Sequence, residues 1–493
     1  MSEIAYLTVA ADLLTPLSAF MRLSHIDEGP YRLFFESIEG GTARGRYSII
    51  ALKPDTVWMC QDGKATRDGI EQQEGPLASL KLLVEESQID LPDELPPMIG
   101  GVFGVLGYDM VRQMEHLPQM PKNDLSIPEG VMIRPGLFII FDTVKDELVI
   151  AVPVRKNQTT PEAEALIRRV YEALTGPLPV EQEKTAPSTG NLAEPRSNMT
   201  HEAFLQKIAQ AKDYIAAGDA FQIVPSQRFE TEFPLSPLAL YRSLRRVNPA
   251  PFLFLMELGV YSLVGSSPEI LVRLQDGEIT VRPLAGTRPR GHTRKEDEAL
   301  EKELLADEKE LSEHLMLIDL GRNDVGRVSQ LGTVSVPEKF MIERYSHVMH
   351  ISSTVTGRVR PELSNLEVLS AAFPAGTLTG APKIRAMEII DELEPTRRGP
   401  YAGCVGYFSA DGRMDTCIGL RMALLKEGKM YVQAGCGVVA ESDPEAEYQE
   451  TRAKARALFR AAELALQQAT NGQDLQIKTT QTGRNPQPSG GVK

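Results

Sequence analysis

Tryptophan, cysteine and histidine are scarce: the 493 residues include 1, 4 and 7 of them. The cysteines, Cys60, Cys404, Cys417 and Cys436, lie too far apart for a C-x-x-C zinc or redox motif and are too few for a disulfide scaffold. They read as the reduced thiols of an intracellular protein. No apolar run reaches the ~18 residues that a membrane-spanning helix needs, and the start, Met1 to Tyr6, lacks the basic stretch of a signal peptide. A cytoplasmic location is expected. Positive charge is also in short supply, since 53 Lys and Arg face 67 Asp and Glu and leave a net charge of −14. Nucleic acids and anionic membranes call for the opposite sign. The G-x-S-x-G nucleophile elbow and the P-loop are absent as well. What remains is ordinary globular composition, 42% hydrophobic and 24% charged, long enough for about three domains or one large intertwined fold.

Two composition breaks divide the chain. Residues 177–199 are rich in Pro, Glu, Ser, Thr and Asn and read as a linker or loop between an N-terminal region, 1–176, and a second region, 200–467. After 467 polar residues, Gly and Pro dominate, and 468–493 reads as a disordered tail. Strand-like apolar runs at 31–35, 136–141 and 148–154 dominate the first region. In the second, helical patterns at 202–217, 302–319, 382–393 and 444–467 mix with strands at 252–257, 279–282 and 429–434. They do not alternate as strict βαβ units, so the fold class is α+β, with antiparallel or mixed sheets flanked by helices.

Two helical segments repeat one carboxylate pattern, Glu310-x-x-Glu313 and Glu447-x-x-Glu450. Residues three apart share a helix face. A solvated face is the commoner outcome of such pairs; the alternative is a hard-cation site built from two distant segments. Asp443 and Pro444 suit the cap and first turn of the last helix, whose packing stripe is Ala455, Leu458, Phe459, Ala462 and Leu466. Three of the seven histidines, His314, His347 and His350, fall close together. Each is either a core or surface residue or a proton donor or acceptor suited to neutral pH. Residues 435–440, GCGVVA, fit the loose dinucleotide pattern G-x-G-x-x-A, but no helix opens there; these glycines instead let backbone N–H groups approach a carboxylate.

Six strings in order, GDAFQIVPS (218–226), GSSPE (265–269), RPLAGTR (282–288), ELSEH (310–314), GTLTGAPK (376–383) and EYQETR (447–452), resemble the signature of chorismate-utilising enzymes, most closely the large subunits of anthranilate synthases. The resemblance is strong over about 200–460 and weaker over the first 150 residues. It implies a chorismate-binding fold and conversion of chorismate and ammonia to anthranilate and pyruvate, the first committed step of tryptophan synthesis. Gln222 stands where relatives that use water carry a lysine base. Ala285 stands where aminodeoxychorismate synthases carry a lysine, and Leu284 replaces the usual isoleucine. Chemistry of the aminodeoxychorismate or aminodeoxyisochorismate synthases is the alternative within the family. An amino-acid sensor on the same fold is a further alternative, though it would have degraded metal carboxylates and all four are intact here.

The same resemblance implies the roles of single residues. Glu313 and Glu450 would bind magnesium directly, with Glu310 and Glu447 in support. Gly286, Thr287, Thr377, Tyr401, Arg421, Gly435, Cys436, Gly437 and Lys454 would form the chorismate-binding set, with Cys436 in place of the family's alanine. Glu269 would protonate the departing 4-hydroxyl, and His350 would assist proton transfer. None of the cysteines lies in the G-x-C-x-G elbow of a glutamine amidotransferase, so a separate subunit is expected to supply ammonia, in a hetero-oligomer for which a heterotetramer is one arrangement. Phe34-Phe35-Glu36-Ser37 is similar to the family's L-L-E-S effector motif, with Pro251, Phe252 and Leu253 as its second half. Inhibition by L-tryptophan is the expectation there, Glu36 and Ser37 receiving the amino group and Phe252 packing on the indole.

Overall fold

The computed structural model describes residues 3–39, 43–155, 158–179, 190–345 and 348–471. The strand ladders among them are antiparallel, and helices cover their faces, as the α+β reading expects. The two halves of the chain are woven together. Tyr31–Glu39 pairs with Ala43–Gln61 on one side and with Phe252–Leu258 on the other, and Val102–Leu106 pairs with both Gly130–Asp142 and Cys404–Phe408.

Successive strand residues point to opposite faces, and here both faces are covered. Leu33, Ala51, Phe138, Phe254 and Met256 enter one core, whereas their neighbours Phe34, Ile50, Ile139, Leu253 and Leu255 enter another. That is why these strands read as unbroken apolar runs rather than as alternating ones. A third, small core joins Phe204 and Ile208 of the helix His201–Ala216 to Ile389 and Ile390 of Lys383–Leu393, and to Ile223, Cys436 and Val438. It anchors the segments that carry the candidate site.

Two helix boundaries are corrected in detail. The helix expected over 302–319 is broken at Asp307 into Arg294–Ala306 and Glu308–Gly326. The Asp307 carboxylate accepts the N–H groups of Lys309 and Glu310, so it caps a new helix instead of continuing the old one. The last helix runs to Asn471, past the expected end at 467; its cap is as read, with the Ala446 N–H donating to Asp443 at 2.9 Å. The interval 177–199 is tied down at its far end, where Arg196–Ser197 pairs with Phe229 and Glu230. Residues 180–189, most of the expected tail (472–493) and His347 lie outside the described residues.

Candidate active site

The antiparallel pair Leu284–Pro289 and Val348–Arg358 carries Ala285, Gly286, Thr287 and His350. The register shifts at Gly286, whose φ is +64°; a Cβ there would meet Leu304, Glu310 and Ile351 at 3.1 to 3.2 Å. This glycine bulge turns the Gly286 carbonyl toward His350, and the two meet at 2.9 Å through Nδ1. A carbonyl only accepts, so Nδ1 carries the proton and Nε2 keeps its lone pair. Burial lowers the imidazole to about 4, which leaves it neutral at physiological pH. The Thr287 hydroxyl lies 3.1 Å from the same nitrogen, and the Tyr345 ring meets the imidazole edge-on with centroids 5.7 Å apart.

Glu269 has the opposite character. It is buried at the end of GSSPE, and burial raises it to about 8, against the pull of the Leu284 N–H at 3.4 Å and the Thr377 hydroxyl at 3.1 Å. At neutral pH it holds a proton to give. A buried proton donor and a buried neutral acceptor in one site are the pairing that general acid–base chemistry requires.

The four carboxylates come from Glu308–Gly326 and from Pro444–Asn471. Glu313 is raised by burial and by the neighbouring charges of Glu310 and Glu450, while Gln222 donates to its Oε1 at 3.0 Å. Glu447 is raised by burial and by Glu450; one of its oxygens accepts from Ser442 at 2.8 Å and the other, Oε2, is buried without a hydrogen-bond partner. Glu310 is paired with Arg288 at 3.2 Å and Glu450 with Lys454 at 2.6 Å. Hard oxygen donors that repel one another, one of them an orphaned buried oxygen, fit a divalent hard cation. Among the described residues no three His, Cys, Asp or Glu side chains stand around a common point.

Positive charge and open backbone face these groups. Arg421 sits at φ +47°, burial lowers its pKa, and no carboxylate or carbonyl of the described residues holds its guanidinium. A buried fork of this kind calls for an anion. Lys454 reaches the Gly435 carbonyl at 3.0 Å, and the Tyr401 hydroxyl takes a hydrogen bond from the Gly435 backbone. A Cβ at Gly437 would come within 2.8 Å of the Gln222 amide nitrogen. Cys436 is fully buried and belongs to the small core, and its thiol borders the Glu447 carboxylate. Ala285 lies in the bulge beside Gly286.

His314 is a core residue. It is fully buried, 2.7 Å from the Ser353 hydroxyl and packed on Phe340. Sequence reasoning does not reach Tyr345, Glu394 or Arg398; the only local signal was a pair of arginines, Arg397 and Arg398, ahead of a Gly-Pro turn.

Glu36, Ser37, Pro251, Phe252 and Leu253 all border one cavity of about 190 Å³, together with Tyr47, Met98, Tyr407 and Asp415. The Glu36 carboxylate is already engaged, by Arg245 at 2.7 and 3.0 Å and by the Tyr241 hydroxyl at 2.6 Å.

Comparison with known proteins bears out the resemblance. The model of the chorismate binding enzyme family matches residues 15–460. Anthranilate synthase component 1 of Cereibacter sphaeroides is 50% identical, over 96% of this chain and 97% of its own. The crystal structure of anthranilate synthase component I from Streptococcus pneumoniae superposes with a TM-score of 0.76 at 37% identity, over 84% of this chain and 92% of its own. The menaquinone-specific isochorismate synthase of Escherichia coli, at 19% identity and a TM-score of 0.71, covers 94% of this chain and 95% of its own and shares the fold. The chain belongs to the chorismate binding enzyme family, alongside the anthranilate synthase component 1 proteins.

Proposed function

We propose that the chain is the large subunit of an anthranilate synthase, converting chorismate and ammonia to anthranilate and pyruvate in tryptophan biosynthesis. The observation that carries the chemistry is the opposed state of Glu269 and His350, one holding a proton and the other free to take one. The unpaired Arg421, Lys454 and the Gly435–Gly437 backbone bind and orient the carboxylates of chorismate. Ammonia adds at C2, and Glu269 gives its proton to the departing 4-hydroxyl, which leaves as water. His350 Nε2 then takes a proton as pyruvate is eliminated and the ring becomes aromatic. Gln222 and Ala285, neither of them a base, leave room for ammonia as the nucleophile.

Glu313 and Glu450, with Glu310 and Glu447 in support, would hold magnesium, which when bound supplies charge stabilisation for an anionic substrate. Ammonia comes from a separate glutamine amidotransferase subunit in a hetero-oligomer, and the cavity at Ser37 and Phe252 takes L-tryptophan as an inhibitor. The cytoplasm is the expected compartment; no helix of the described residues is long and apolar enough to cross a membrane.

The test is the product made by the purified chain. Chorismate, magnesium and an ammonium salt are expected to yield anthranilate, and glutamine in place of ammonium is expected to yield none. Another aminated product would overturn the reaction, and turnover of glutamine by the pure chain would overturn the separate partner.

A further inference from the structure

Between the substrate-site loops and the N-terminal region lies a buried ion pair to which the chemistry above gives no role. The Arg398 side chain is 1% exposed and that of Glu394 4%. Arg398 Nε and Nη2 donate to the two oxygens of Glu394 at 2.9 and 2.6 Å, Nη2 donates also to the Val224 carbonyl at 2.6 Å, and Nη1 donates to the Leu378 carbonyl at 2.7 Å. The rings of Tyr108 and Tyr401 lie 4.9 and 5.5 Å from the guanidinium carbon.

The contacts at Val224, Leu378 and Tyr401 lead to the candidate site. Beside Val224, the Pro225 carbonyl accepts the Cys436 N–H at 3.1 Å and so fixes the glycine loop. Beside Leu378, the Thr377 hydroxyl holds Glu269. Tyr401 itself receives the Gly435 backbone. Glu394 returns to the first segment by accepting both the N–H and the hydroxyl of Ser226 at 2.8 Å.

We propose that Arg398 is the positioning residue of the chorismate site, a single guanidinium that sets the spacing of the 224–226 segment, the 376–379 segment and Tyr401. This rests on the functional reading above. Only a planar, rigid fork joins two carbonyls and a carboxylate while presenting a flat face to a ring; a lysine has one point of charge on a flexible stem. Glu394 neutralises the guanidinium, so the pair acts through geometry and not through charge lent to the substrate.

Steady-state kinetics on the full chain with chorismate and ammonium test this, comparing wild type, Arg398→Lys, Glu394→Gln and Arg112→Met. Arg112 is the control. It lies nearby, its side chain 10% exposed, and bridges Asp109 and Asp391 at 3.6 and 2.9 Å without touching a site segment. For Arg398→Lys the expected result is a chorismate KM raised about tenfold or more. The alkaline limb of kcat/KM should move to higher pH, because Thr377 no longer steadies the ionised form of Glu269. The other titratable groups facing Glu269, namely Glu343, Tyr345, Lys454 and Arg421, are not partners of Arg398. Glu394→Gln should move both readouts the same way, and Arg112→Met should lower Tm while leaving both in place.

A folded Arg398→Lys with wild-type KM and pH limb overturns the proposal, as does an Arg112→Met whose KM rises equally. If Arg398→Lys does not fold, the same criteria apply to Glu394→Gln. An active wild type with an indifferent variant refutes the positioning role alone, whereas a wild type that makes no anthranilate refutes the functional reading beneath it.

Discussion

The side-chain amide of Gln222 donates to Glu313 Oε1 at 3.0 Å, and Gly437 leaves the space that this amide occupies. A Cβ at 437 would lie 2.8 Å from the amide nitrogen, the far end of a flexible side chain that can swing aside. Gly437→Ala is therefore expected to keep Tm close to wild type while lowering kcat/KM by about tenfold or more, as Glu313 loses its donor. A large fall in Tm with kinetics intact would show that the glycine serves packing instead.

Metal dependence follows from the carboxylates. Glu313→Gln and Glu450→Gln keep shape but remove a hard anionic ligand, so activity should fall by orders of magnitude with the circular dichroism spectrum unchanged. Titration of the substrate-free protein with Mn²⁺, followed by electron paramagnetic resonance, should show binding to wild type and weaker binding to both variants. Equal binding by all three would place the ion elsewhere.

The pH profile has two buried causes. Burial raises Glu269 to about 8, so the proton it donates is lost on the alkaline side, and kcat/KM should fall as pH passes about 8. The stability linked to this carboxyl is fully present below its ordinary value of 4.5 and lost as pH rises through about 8. His350 works in the other direction. Lowered by burial to about 4, it contributes stability above its ordinary 6.5 that is lost as pH falls through about 4. Glu269→Gln should abolish the alkaline limb together with most activity; a limb that survives in that variant would belong to another group.

Tryptophan should inhibit. Phe252→Ala removes an aromatic wall of the cavity at Ser37, and the concentration of tryptophan giving half-inhibition should rise about tenfold or more. Wild-type activity that is indifferent to millimolar tryptophan would remove the effector role from this cavity.

Ala285 decides which nucleophile has room. Ala285→Lys places an amine in the bulge beside Gly286, where desolvation lowers a lysine's pKa and exposes its lone pair. The variant should lose most ammonia-dependent anthranilate formation, and intact-protein mass spectrometry after chorismate treatment would reveal a covalent adduct. Wild-type product formation would show that position 285 is remote from the reacting carbon.

What the sequence by itself determined was local chemistry: the i, i+3 carboxylate pairs, the Asp443 cap and its helix, the apolar runs that became doubly buried strands, and the ordered strings that mark the family. The pairs, the cap and the runs are each written within a few residues, so periodicity and spacing reveal them; the strings carry meaning only through their resemblance to the family. Even the break at Asp307 was local, a capping aspartate hidden inside a helical pattern. The tertiary structure alone decided the rest. It turned the Glu36 carboxylate to Arg245, 209 positions away, and set Tyr31–Glu39 beside Phe252–Leu258 so that the Ser37 cavity spans both halves of the chain. It buried Cys436 beside Glu447 and packed Tyr108 and Tyr401 about Arg398. Such contacts depend on which surfaces meet after the strands pair, and burial, which shifted Glu269 and His350 in opposite directions, exists only once they have met.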